Sequence, residues 1–372
     1  MEADALRELH AELRSDKTTK RKAALKQLDA ALASADLVRS LDATTADMDG
    51  GRGGDVKRSW AGLCGSLMVC VAAEIAAGAG RKGPANKLTG GILRRFVAVA
   101  EDAKRKARSG VVAPLRRRAG KLFAHILEVL REGPPEYASE YTQLLRAHVL
   151  PEPAYCARAK ATTYEAIVAA YVERLEPMLA RDRSDDDDAG ALLHGDDANR
   201  CAQTLLQLLR SCPHDLSPAG ALPDVVSFLG DALRGLAETE RAAKLPATLL
   251  TALNACLARG GLDLSPATSL ARLYRDTAPI VAKALKGDGA NRAANGGGYL
   301  RGDDRRPIGG GGERGGRAAD ERLRSAATTH ARLLLALGAV RAVPGAVDDL
   351  AATIERAVPS RAADALAGPS GG

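Results

Sequence analysis

The stretch LRSDKTTKRKAALKQLDAAL, Leu13 to Leu32, sets the fold class. Leu25, Leu28 and Leu32 recur at spacings of three and four, the period of a helix that buries one face. Leu6, Leu9 and Leu13 repeat the pattern just before it, and Ser15 or Asp16 is placed to cap the second helix. Cations crowd its first half, at Arg14, Lys17, Lys20, Arg21 and Lys22. A helix N-terminus carries the positive end of the macrodipole and favours acids, so charge placement for stability alone does not explain them.

The same period runs outward along the chain. Asp36 is placed to cap a short helix LVRSLD, and a polar, glycine-rich loop, TADMDGGRGGD, follows. Trp60, Cys64, Leu67 and Val71 line one face of a helix from about 56 to 78. Helices are predicted near 86–108, 112–132, 136–150 and 154–181, punctuated by Pro134, Pro135, Pro151 and Pro153. More follow from Asn199 to Leu285, then near 319–342 and 346–357. No stretch alternates with the period of two that marks a strand. Aromatic residues make up only 3% of the 372, so the core is built from Leu, Ala and Val, which suits close-packed helices. The expected fold is all-α, an irregular HEAT-like α-solenoid of antiparallel helix pairs.

Composition divides the chain into an N-terminal helical domain at 1–183, an acidic linker at 184–198 (SDDDDAGALLHGDD and its edges) and helical repeats at 199–286. A glycine-rich linker at 287–317, expected to be disordered, precedes C-terminal helices at 318–360 and a tail at 361–372. The six cysteines lack CxxC spacing, which predicts buried, reduced thiols rather than a metal site or a redox motif, and an intracellular protein. No basic n-region with an apolar run opens the chain, and the longest apolar segment is interrupted by Glu74, so no membrane span is expected.

No constellation for catalysis is legible. The phosphate loop, the kinase catalytic-loop and DFG motifs, GxSxG and HExxH are all missing, and the histidines are dispersed. No catalytic residue, metal ligand, cofactor or small-molecule substrate is therefore assigned. Charge is uneven. Residues 81–131 hold 14 Lys and Arg against three acids, an excess of +11 in a chain of net +7. Arg94, Arg95, Lys104, Arg105, Arg108, Arg116, Arg117 and Arg118 form either a solvated face or a surface for an acidic partner or nucleic acid. No aromatic interleaving supports base stacking.

The opening stretch also resembles a known motif. Leu13, Lys17, Lys20, Arg21 and Leu25 follow LxxxKxx[DE]RxxxL, the TAN motif at the N-terminus of ATM-family serine/threonine kinases, with Lys20 where that family has Asp or Glu. A downstream tryptophan helix, the basic pair RRFVAVAEDAKRKA and PLRRRAGKLFAHILEVL, and LLRAHVLPEPAYCARAKATTYEAIVAAYVERL occur in family order, over about residues 9–180. The resemblance implies a non-catalytic N-terminal scaffold of a DNA-damage checkpoint kinase. Such a scaffold acts in telomere-length maintenance and DNA repair, is located in the nucleus and binds damage-sensor or telomere proteins. The kinase domain in that family lies far C-terminal, so this chain is expected to be a fragment or a stand-alone protein. The resemblance further implies that Lys17 and Arg21 act in recognition. Their four-residue spacing predicts one exposed face, with Leu25 and Leu28 buried beside it. The alternative is a stand-alone helical-repeat adaptor, or a nucleic-acid-binding protein using 81–131.

Overall fold

A computed structural model describes residues 3–49, 59–77, 87–106, 114–181, 188–212, 222–237, 244–258, 271–284, 312–336 and 345. Among them the regular structure is helical and no strand occurs, so the chain is all-α. No helix among these residues is long and apolar enough to cross a membrane.

The residues fall into two compact units, 1–170 with 211–215, and 171–210 with 216–372. The first is built from α1 (Ala3–Leu13), α2 (Thr18–Ala31), α3 (Ala35–Asp49), α4 (Trp60–Ala76), α5 (Lys87–Lys106), α6 (Ala119–Glu132), α7 (Pro135–Leu144), α8 (Pro153–Cys156) and the start of α9 (Ala161–Arg181). At its centre stands α4, which packs against α1, α3, α5 and α6. Almost all of α4 is buried, because WAGLCGSLMVCVAAEIA is apolar around most of its circumference. Ser59 caps it, its side chain accepting from the Gly62 N–H at 3.2 Å. Trp60 lies 5.1 Å from Phe96 of α5, ring centre to ring centre, and its indole donates to Asp42 of α3 at 2.6 Å. Burial pushes the Asp42 carboxyl above its ordinary range, and that indole bond partly offsets the rise.

The second unit contains the end of α9, α10 (Asp188–Ser211), α11 (Leu222–Ala237), α12 (Lys244–Ala258), α13 (271–284) and α14 (Gly312–Ala336). Alternate helices meet. Asn254 of α12 donates to the Ala326 carbonyl of α14 at 2.9 Å, and Thr248 of α12 donates to Asn199 of α10 at 3.0 Å. On the other layer, Arg234 of α11 pairs with Asp276 of α13 at 3.0 Å. His330 of α14 ties the layers together, with Nδ1 2.8 Å from Asn254 and Nε2 3.0 Å from Thr277 of α13.

Three expectations are corrected. The loop expected from Thr45 is helical as far as Asp49. The acidic linker at 184–198 is helical from Asp188, which falls in the first turn of α10 where the macrodipole favours an acid. Residues 312–317 of the glycine-rich linker form the first turns of α14, which AADERLR downstream continues. The expected helix at 136–150 is present, its last turn, Leu145–Val149, being a π-helix. Residues 285–311 and the tail at 361–372 lie outside the described residues, as does the helix expected near 346–357.

Candidate functional site: the joint around Arg21

The motif residues separate into two classes. Leu13 and Leu25 are fully buried, and Lys17 and Lys20 are exposed. Arg21, expected on the exposed face, is buried, with only 4% of its surface accessible. The reason lies in where α2 begins. Lys17 is an extended N-cap residue, φ −82° and ψ 114°, so it precedes the helix and does not sit one turn below Arg21 on a common face. Arg21 instead starts the stripe that Ala24, Leu25 and Leu28 continue, at the i, i+3, i+4, i+7 positions that face the core.

A charge at the head of an apolar stripe requires a partner, and α4 supplies it. Glu74, 1% exposed, accepts from Arg21 Nε at 2.8 Å, and Nη2 lies 2.6 Å from the same carboxylate. Arg21 Nη1 donates to the carbonyls of Ser15 and Asp16 at 2.8 and 2.9 Å, and Nη2 to the Thr18 hydroxyl at 3.1 Å. A guanidinium has five N–H donors in a fixed planar fork, and this geometry offers an acceptor to each of its nitrogens. Its charge therefore holds the α1–α2 turn to the middle of the unit. Two more bonds join α1 to α4 nearby. His10 Nδ1 lies 2.8 Å from the Ser66 hydroxyl, and Arg14 Nε donates to it at 3.0 Å.

Glu74 is the residue that sequence reasoning passed over. It was legible as the one charge interrupting an apolar run, and the turn preceding α2 was legible as polar. What the sequence could not supply was the pairing of positions 53 residues apart.

The basic segment is not one surface. Arg94 pairs with Glu140 of α7 and Arg95 with Asp29 of α2, each at 2.6 Å, so both cations join helices within the unit. Arg116 and Arg117 are exposed in the turn before α6, and Arg118 is half-buried beside Gly65. Lys104 and Arg105 lie near the end of α5, and Arg108 falls outside the described residues. Arg14, Arg118 and Lys121 border an open groove of about 330 Å³ whose wall includes Met68 and Val69. Val69 is 46% exposed, unusual for a large apolar side chain in a helix that is mostly buried.

The six thiols are free and buried. Burial pushes Cys64 and Cys70 up to about 12, although Arg118 and Arg21 respectively pull in the opposite direction. Cys156 and Cys201 rise to about 11, again chiefly through burial. Among the described residues no group of three or more His, Cys, Asp or Glu is placed to hold a metal ion. Tyr155 donates to Glu101 and accepts from the Leu115 N–H at 3.2 Å, which fastens the turn before α6 to α5 and α8.

No family model matches the chain, and neither the curated proteins nor the solved structures contain a significant match to it.

Proposed function

We propose that this chain is a non-catalytic helical scaffold similar to the N-terminal region of ATM-like checkpoint kinases. It acts in the nucleus, in telomere-length maintenance and DNA damage repair, by binding damage-sensor or telomere proteins. The observation that carries the reading is the burial of Leu13, Arg21 and Leu25, with Arg21 paired to Glu74 of α4. These are three of the five positions of the TAN-like pattern: two apolar anchors and one arginine that closes the turn between helices. The joint assigns Arg21 to architecture, which leaves the exposed Lys17 and Lys20 as the motif's contacts with a partner. Lys20, where the resemblance leads one to expect an acid, stands outside the joint and leaves it intact. In the second unit α12 packs against both α11 and α14, Thr248 of α12 bonds Asn199 of α10, and Arg234 of α11 pairs with Asp276 of α13, which supports a HEAT-like solenoid.

A stand-alone adaptor that binds nucleic acid through 81–131 is the second reading, favoured only by the exposed Arg116 and Arg117. Pairing of Arg94 and Arg95 inside the unit removes two of its eight cations. The test follows the fluorescent full-length chain at laser-induced DNA breaks and measures telomere length after its deletion. Accumulation at breaks with telomere shortening is expected. Absence of both, with steeply salt-dependent binding of duplex DNA by the purified chain, overturns the first reading in favour of the second.

A further inference from the structure

The second unit carries a feature that the reading of the motif does not use. An open groove of about 720 Å³ runs along α10, α12 and α14. On α10 its wall is Asn199, Gln203, Leu206 and Arg210, at spacings of four, three and four, which is one continuous stripe. From Asn199 to Arg210 the stripe covers about 16 Å at 1.5 Å per residue. The floor is lined with small side chains, among them Ala247, Ala255 and Ala326, so a ligand backbone can approach closely.

The charge of the groove has one sign. Arg210, Lys244 and Arg322 line it and are exposed, and no Asp or Glu lines it among the described residues. Among the described residues none of the three makes an ion pair. Arg210 lies at the far end of the α10 stripe from Asn199, and Lys244 is one turn before Thr248, the residue bonded to Asn199. The positive charges are therefore distributed along the groove. The walls are also fixed in place, by Thr248 bonded to Asn199 on one side and Asn254 bonded to the Ala326 carbonyl on the other. A preformed groove loses less entropy on binding than one that must be assembled.

We propose that this groove binds an extended acidic segment of a partner protein, its carboxylates meeting Arg210, Lys244 and Arg322. Length and spread of charge call for an elongated polyanion rather than a compact one. Peptide is favoured over a nucleic-acid strand because no aromatic side chain lines the groove to stack a base. The inference is independent of the TAN-like reading of the first unit.

The experiment titrates the intact chain with fluorescein-labelled decaglutamate, and separately with a labelled ten-nucleotide oligothymidylate, at several salt concentrations. Decaglutamate should bind, more weakly as salt rises. Lys244→Glu with Arg322→Glu should weaken that binding at least tenfold, whereas Lys17→Glu with Lys20→Glu in the first unit should leave it unchanged. Ala255→Trp fills the groove without altering its charge and should also block binding, so the proposal stays testable if the charge-reversed variant does not fold. Failure to bind decaglutamate overturns the proposal. So does an equal loss in the first-unit variant, unaffected binding in Ala255→Trp, or tighter binding of oligothymidylate than of the peptide.

Discussion

Removing the guanidinium of Arg21 should destabilise the first unit far more than removing any exposed cation of the motif. Arg21→Ala leaves Glu74 buried and without its counter-charge, and takes acceptors' partners from the Ser15 and Asp16 carbonyls. Breaking a buried ion pair from one side costs about 3–5 kcal/mol. For a unit of this size, where each kcal/mol moves the midpoint by about 2–4 °C, the melting temperature should fall by roughly 6–20 °C. Glu74→Leu alone should cost a similar amount. The double variant Arg21→Met, Glu74→Leu removes both charges together and should recover most of the loss, since an apolar pair of similar volume in place of a buried ion pair is often neutral or better. The assay is urea unfolding followed by tryptophan fluorescence. Trp60 is the single tryptophan of the chain and is fully buried in α4, so its signal reports the first unit and not the second. Lys17→Glu with Lys20→Glu is the surface control, expected within about 0.5 kcal/mol of the parent. An Arg21→Ala variant as stable as that control, or a double variant no better than either single one, would refute the account of the joint.

Three further outcomes are expected. Burial lowers His330 to about 4 from an ordinary 6.5, so the unfolded chain binds a proton there before the folded one does. Stability of the second unit should therefore fall by on the order of 3 kcal/mol as pH drops from about 6.5 to 4, and His330→Gln should flatten that slope in calorimetry at graded pH. A Cβ at Gly120 would meet the Arg158 carbonyl oxygen at 2.7 Å, whereas one at Gly65 would meet only the Arg118 side chain at 3.5 Å. Gly120→Ala should cost about 1–3 kcal/mol by overpacking, with Gly65→Ala much milder, as thermal melting of the two can establish. The free thiols should resist an aromatic disulfide reagent at pH 8 in the native chain and all six should react in denaturant; rapid native labelling would contradict their burial.

Helix periodicity carried the fold class because it is a local signal, repeated many times, and each repeat is independent of how the helices later pack. Leu13, Leu25 and Leu28 were legible as core for that reason. Arg21 was not, because its exposure turns on whether α2 starts at Thr18 or a turn earlier, and the ends of helices are the weakest part of a periodic signal. Glu74 and Arg21 each looked anomalous alone, an acid in an apolar run and a cation near a positive dipole. Only their meeting explains both. The basic excess at 81–131 was legible as charge, but its division among Glu140, Asp29 and solvent depends on tertiary neighbours. The groove of the second unit had no local signature, since its stripes come from three helices and each stripe by itself is an ordinary polar face.

The joint also constrains how this sequence can change over evolutionary time. Positions 21 and 74 cannot drift separately, because either replacement alone strands a charge in the interior while the two together do not. A lineage that exchanges the pair must cross an intermediate of low fitness or acquire a compensating substitution first. Lys17 and Lys20, facing water, carry no such linkage. Positions bound to a distant partner and positions facing water thus alternate within five residues of one stretch.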